Sequence, residues 1–394
     1  MIKGKVWLIL LLSLSCTGCA KDAALVTEHL QSAASLMQER PDSSLYILEH
    51  IDSDNLSSLK NKAKYALLYS QALDKNYIDK TNDSLILVAV DYYREHGNEQ
   101  EQMLAYYYLG RVQYNAQAYQ SAILSFLQAE EYALRAEDYL YCGLIYRNIS
   151  DIYNDTYNTA EELKYAQKAY DCFCRAGASE HRDYALPILA VAYGNTSDRA
   201  KEKELLEQAI VLAQERCDTM WWGACLSSYA LCHEVVQDYR KAKESILAIK
   251  NRLMLPIDHS DWSTLAHCYA QENKTDSVNF CLSEAWQSAN TSADSAKISL
   301  RIYLIEKKRN NPQKALEALE YCSDFQNEIF RQMLQQSVIT AQRDHFRGRS
   351  ESAMYKLKAE HRLGIIIILS IGILTGLVIV YPYRRMQRKN AEIE

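Results

Sequence analysis

Glycine and proline are scarce in this chain, 12 and 5 among 394 residues, against roughly 7% and 5% in an average protein. Sheets joined by hairpins need that punctuation, so a β-rich fold is excluded and an all-α one is expected. A basic block is also missing. The formal net charge is −6, which excludes nucleic acid as a partner of this chain, because neutralising phosphates takes clustered Lys and Arg. Catalytic signatures are absent too: the sequence has no glycine-rich phosphate loop, no H-E-x-x-H pair and no G-x-S-x-G elbow. His233 and Glu234 suggest a metal pair, but Gln237 stands where the second ligand would be, so His233 is expected to be a partly exposed helix histidine. No enzyme activity, catalytic residue, cofactor or metal is predicted. With 48% hydrophobic and 24% charged residues, the chain has the apolar matter for an extensive core and too little charge for bulk disorder.

Two apolar segments bear on location. Residues 1–19 are laid out as an export signal: Lys3 and Lys5 form a basic front, and Val6 to Leu14 form an apolar run too short to cross a bilayer. Thr17 and Gly18 then precede Cys19. Small residues before a cysteine resemble the bacterial lipoprotein box, which implies lipidation of Cys19. The box usually has an aliphatic residue three places before its cysteine, whereas Cys16 stands there, so Cys16, plain cleavage and an uncleaved anchor stay open.

Leu363 to Tyr381 is a run of 19 residues without a charge, about the length of a transmembrane helix. Arg362 precedes it, and Pro382, Arg384, Arg385, Arg388 and Lys389 follow. Tyr381 and Tyr383 fall at the headgroup level, where amphipathic rings are favoured. Basic residues flank both ends, so orientation follows from the signal: residues 20–362 lie in the periplasm, one span crosses the inner membrane, and 382–394 form a short cytoplasmic tail. The exported part would carry 38 basic and 48 acidic residues, a surface that repels anionic headgroups. Gly364, Gly372 and Gly376 share one face of the span, a strip that would let two helices approach as a homodimer.

A period near forty runs between these segments. Tyr106, Leu109 and Gly110 are followed by Tyr119, Ala122, Phe126 and Ala129. Forty residues on stand Tyr146, Ile149, Ser150 and Tyr153, then Ala166 and Ala169, and forty further Leu186, Leu189, Ala190 and Tyr193, then Leu206 and Ala209. Leu226, Tyr229 and Ala230 precede Tyr239, Ala242, Ile246 and Ile249, and a shorter step reaches Trp262, Leu265, Ala266 and Tyr269, then Val278, Leu282 and Ala285. A sixth copy is legible in Ile302, Ala315 and Leu319. Gly110 and Ala122 are expected to let antiparallel helices approach, with Tyr106 and Phe126 filling the space between repeats. Upstream, Asp22 to Ile51 reads as a helical hairpin turned by Pro41, and Leu56 to His96 as another with a longer loop around Asn76 to Asn82.

These spacings resemble the tetratricopeptide repeat (TPR), whose first helix carries large, large, small and whose second carries small, aromatic, small residues. The resemblance covers residues 20–322 and implies a right-handed α-solenoid of antiparallel helix pairs, each burying its apolar face against its neighbours. Glu162 and Glu202 stand where the second helix usually has alanine, and the closing proline is missing from every copy. Residues 323–362 are expected to continue as a capping and juxtamembrane helix.

In that family the inner surface is lined by first-helix residues one position after the packing ones. By this carry-over Tyr107, Arg111, Tyr114 and Asn115, with Arg147, Asp151 and Asn154 from the next copy, are implied to line a groove suited to an extended peptide. Only Arg147 and Asn148 hint at the carboxylate clamp that some members use, so the clamp is not carried over. Arg111→Glu is expected to weaken partner capture without unfolding the array. Of nine cysteines beyond the signal, most are expected to be small core residues, with one or two pairs between adjacent helices left open.

The layout resembles Bacteroides-type TPR lipoproteins with a C-terminal transmembrane helix. The first reading is a non-enzymatic protein interaction scaffold, tethered at the membrane and holding a protein or peptide in its concave groove. The alternative is the periplasmic sensor portion of a transmembrane regulator whose cytoplasmic output domain is missing past Glu394 or supplied separately.

Overall fold

The computed structural model describes residues 25–52, 56, 58–328, 331 and 362. The expectations that concern the export signal with Cys19, residues 332–361, and the span with Gly364, Gly372 and Gly376 lie outside them. All regular structure among the described residues is helical, and none of these helices is long and apolar enough to cross a membrane.

In chain order the elements are α1 (25–36), α2 (Pro41–Glu49), α3 (Leu59–Lys75), α4 (Ser84–His96), α5 (Glu99–Asn115), α6 (Tyr119–Arg135), α7 (Tyr139–Asp155) and α8 (Thr159–Arg175). Then come α9 (Ser179–Asn195), α10 (Arg199–Glu215), α11 (Thr219–Val235), α12 (Tyr239–Asn251), α13 (His259–Gln271), α14 (Thr275–Ser288), α15 (Ser292–Lys308) and α16 (312–328). Pro41 opens α2, at the position where a missing N–H costs nothing. From Glu99 to His259 a new helix begins every 20 residues, so the forty-residue period is one helix pair. The shorter step has a cause in α13, which has 13 residues where α11 has 17 and lacks the first turn.

One device makes these turns and explains the shortage of glycine. Gln117, Glu137, Tyr157, Gly177, Ser197, Cys217 and Gln237 all have positive φ, one at each successive turn. Gly177 alone takes this conformation without Cβ strain. The residue after each of them sends its N–H back to the helix just ended, as in Asp138 N to Ala133 O at 2.9 Å and Asp218 N to Ala213 O at 3.1 Å. Asp138, Asn158, Asp198, Asp218 and Asp238 also accept the N–H three residues on with their side chains, so one residue closes a helix and caps the next.

Small residues set the spacing within pairs. A Cβ on Gly110 would stand 2.7 Å from the Phe126 ring, and one on Gly143 2.5 Å from the Phe173 ring. Phe126, Ala122, Ala129, Ala166, Ala169 and Ala209 are buried, as the pattern predicts, and so is Phe173, which the pattern did not single out. Two packing expectations need correction. Phe126 fills the space inside its own pair, under Gly110, and Tyr106 is half-buried against Tyr132 of that pair at 6.0 Å. Between this pair and the next the rings in contact are Tyr107 and Tyr141, 5.4 Å apart. In the sixth copy Ala315 is buried but Leu319 is exposed, because α16 turns Ala315, Ala318 and Cys322 inward instead.

The two anomalous glutamates are also explained. Glu202 is buried against Gly194, where a Cβ would meet its carboxylate at 2.4 Å, and it pairs with Arg199 at 2.7 Å. Glu162, likewise buried, accepts from Asn154 at 2.7 Å and from Asn195 at 3.0 Å, joining α7, α8 and α9.

Four apolar cores overlap end to end, spanning 26–73, 63–185, 166–232 and 230–305. Neighbour contacts of this kind stabilise a solenoid pair by pair. Successive first helices also touch one another, α3 with α5, α5 with α7, α9 with α11, α11 with α13 and α13 with α15, which puts them on the concave side. The described residues thus form a TPR-like all-α solenoid.

Candidate functional site

Asp74, Arg111 and Asn148 follow one another at 37-residue intervals, the first two near the carboxyl ends of α3 and α5 and the third in the middle of α7. The stacking of these first helices brings them into one line. Arg111 Nε donates to Asp74 Oδ1 at 2.7 Å and its Nη1 donates to Asn148 Oδ1 at 2.8 Å. Asn148 Nδ2 in turn donates to Leu144 O at 2.7 Å and to the Tyr107 hydroxyl at 3.3 Å. This polar line fixes the Arg111 side chain, since moving it would strand both Asp74 and a buried amide.

Two cavities share Asp74, Tyr108 and Arg111 in their walls. The first holds about 480 Å³ and is mainly apolar, with Leu73, Ile78, Leu85, Val88 and Val112 facing it and Asn115 at its polar side. The second holds about 370 Å³ and reaches from Pro41 to His181, across elements that run from α2 to α9. Its charged walls are Lys75, Arg111 and Arg147 against Asp74 alone, with Tyr77, Tyr107, Tyr141 and Asn148 between them. Tyr77 stands at the rim with 93% of its surface exposed, on the turn after α3, where its own φ is positive.

The electrostatics follow from burial and neighbours. Burial, then the Asp74 charge, pushes the Tyr107 hydroxyl up to about 12, so it stays protonated. Asp151 is pushed up to about 6 by burial, despite Arg147 at 3.9 Å. His181 is lowered by burial, and the cations Arg147 and Lys75 act in the same direction, so it is neutral near pH 7.

The structure brings Tyr107, Arg111, Asn115 and Arg147 to the walls of these cavities. Tyr107 is itself buried, so it offers only an edge. Tyr114, Asp151 and Asn154 line neither. Tyr114 donates to Asp155 at 3.0 Å, and Asn154 is held by Glu162. Sequence reasoning missed Asp74, Tyr77, Tyr108 and His181, which come from other helix pairs or from the face opposite the expected one. The signal for Asp74 is an acid at the 37-residue spacing from Arg111.

Elsewhere, His233 is buried, contrary to the partly exposed placement expected for it. It lies edge-on to Tyr229 at 4.4 Å, with its pKa lowered by burial. Glu234 Oε1 accepts from His267 Nδ1 at 2.6 Å and its other oxygen pairs with Arg301 at 2.7 Å, tying α11, α13 and α15 together. Among the described residues no group of three or more His, Cys, Asp or Glu could hold a metal. Cys142, Cys225, Cys232, Cys268, Cys281 and Cys322 are buried, and all nine described cysteines are free thiols.

No protein-family model matches the chain, and no curated protein does either. Solved structures do match, and they define the class as helical-repeat solenoids. A Rap protein complexed with competence and sporulation factor superposes with a TM-score of 0.59 at 16% identity, over 82% of this chain and 94% of that one. NprR in complex with its cognate peptide NprX gives 0.56 at 16% identity, over 79% and 97%, and the apo quorum sensor NprR from B. thuringiensis gives 0.53 at 15%, over 79% and 98%. At these identities the likeness is one of fold.

Proposed function

We propose that this protein is a non-enzymatic interaction module that holds a short peptide, or an extended segment of a protein, on the concave side of its solenoid. The observation that carries the reading is the pair of adjoining cavities about Arg111, the second on the face formed by first helices and the first between α3, α4 and α5. Their volumes fall in the range of about 300–1,000 Å³ typical of ligand sites. They combine an apolar chamber with fixed donors and acceptors, as recognition of an extended backbone and its side chains requires. That a similarly folded NprR is complexed with a peptide supports the same use of the fold here.

The module is placed in the periplasm, anchored by lipid at Cys19 and by the span at 363–381, with Gly364, Gly372 and Gly376 as the contact face of a dimer. Selection of displayed octapeptides on the full-length protein in lipid nanodiscs tests the function. Recovery of related sequences whose binding is lost on Val88→Arg supports it, and failure to recover any peptide sinks it. Anchoring is tested by labelling cells with a fatty-acid analogue, where Cys19→Ser should abolish incorporation.

A further inference from the structure

The charges around the two cavities specify what the peptide must carry. Arg111 is neutralised by Asp74 at 2.7 Å and held by Asn148, so its charge is spent inside the wall. Lys75 is different: its ammonium donates to the neutral Gln38 amide oxygen at 3.0 Å, a partner that brings no opposing charge. Arg147 is half-exposed, and its acidic neighbour Asp151 is 3.9 Å away, beyond hydrogen-bond reach. Lys75 and Arg147 thus present cationic charge to the second cavity, which shares the wall of Asp74, Tyr108 and Arg111 with the apolar chamber.

The next stretch of the concave face has the other sign. Asp151 and Asp155 stand one turn apart on α7, and the charges of Asp155 and of Glu162 on α8 both raise the proton affinity of Asp151. A ligand carboxylate is attracted to the cationic stretch and repelled one step further along, which fixes its position.

We propose that the occupant is a peptide with an aliphatic or aromatic side chain in the apolar chamber and a single carboxylate, within about two residues or ~7 Å of extended chain, set against Arg147 and Lys75. The inference rests on the peptide-binding reading and deepens it. Tyr77, exposed at the rim, is placed to lie over the backbone between the two anchors. The carboxylate can come from an Asp or Glu side chain or from the peptide's own terminus. Additional acids on the α7 side are disfavoured, so a polyacidic tail is a poor ligand.

The test uses the full-length protein in nanodiscs and fluorescence anisotropy with octapeptides taken from the selection above, each made with a free and with an amidated terminus. The recovered sequences should place one acid within two residues of Leu, Ile, Phe or Tyr. Replacing that acid by its amide should weaken binding at least tenfold to the native protein and less than twofold to Arg147→Glu. An acid-to-lysine peptide should regain affinity on Arg147→Glu. Loss on amidating the terminus assigns the carboxylate to the chain end, and loss on Glu→Gln or Asp→Asn assigns it to a side chain. If Arg147→Glu does not keep the native melting temperature, Lys75→Glu takes its place. Recovered peptides that bind equally well without any acid overturn the inference and leave the peptide reading intact, whereas recovery of no peptide overturns both.

Discussion

At the scale of single residues, two arginines four positions from the same repeat register do different work. Arg111 looks from the sequence like an exposed groove residue, but it bridges Asp74 and Asn148 and is three-quarters buried. Arg111→Glu would set two carboxylates side by side and leave the Asn148 carbonyl without its donor. We expect a stability loss of about 2–4 kcal/mol, read as a fall in the denaturant midpoint, so this change is no longer a clean test of capture. A midpoint equal to that of the native protein would show that the bridge is not holding α3, α5 and α7. Arg147, exposed and weakly paired, is the cleaner probe. Asp261 on α13 is a second residue with a definite consequence. It is buried, accepts from Ser227 Oγ at 2.6 Å, and burial pushes its pKa up to about 6 from an ordinary 3.8. Its folded form therefore favours the proton: its contribution to stability is fully present below pH 3.8 and is lost as pH rises through about 6. Asp261→Asn keeps the acceptor and removes the titration, so it should be more stable than the native protein at pH 7.5 and about equal to it near pH 4. Denaturant titrations at the two pH values check this, and an identical difference at both would refute it.

At the scale of elements, the turns make opposite predictions for neighbouring residues. Glu137 is exposed at φ +53°, a conformation that costs a residue with a Cβ about 1 kcal/mol, while Asp138 caps α7. Glu137→Gly should raise stability by about 0.5 kcal/mol after the added freedom of the unfolded chain is counted, and Asp138→Ala should lower it by about 1 kcal/mol. Thermal melts of the two variants should move in opposite directions, and a fall for both would contradict the strain at 137. This turn device was hidden in the sequence because Gln117, Glu137, Tyr157, Ser197, Cys217 and Gln237 share no side-chain chemistry. Helix pairs were legible because close approach demands small residues at fixed places, as at Gly110, Ala122 and Ala230, whatever else varies. Half of the candidate site was legible for the same reason: Arg111 and Arg147 occupy a repeat position on one helix face. Asp74, Tyr77 and His181 reach the second cavity by the way several pairs stack, and one repeat's spacing says nothing of that.

At the scale of the whole solenoid, curvature makes a contact that neighbour packing does not require. Tyr157, in the turn between α7 and α8, lies close enough to Gln326 and Cys322 of α16 for both side chains to act on its hydroxyl, although three helix pairs stand between these elements in the chain. The Lys297 charge on α15 is likewise felt by Asp155 at the end of α7. The array has therefore turned far enough for its last described helix to meet its middle, beside the stretch where Asp151 and Asp155 face the concave side. In an open solenoid the end helix depends only on the pair before it, and here α16 gains a second support from a residue 169 positions away, Tyr157 to Gln326. Tyr157→Ala should then speed amide exchange across 312–328 several-fold while leaving α5 to α8 unchanged, because the side chain is half-exposed and no core depends on it. Exchange by mass spectrometry on the full-length protein reads both regions at once. Unchanged exchange in 312–328 would mean that α16 is held by α15 alone, and faster exchange in α7 and α8 as well would mean that Tyr157 supports its own turn and not the closure.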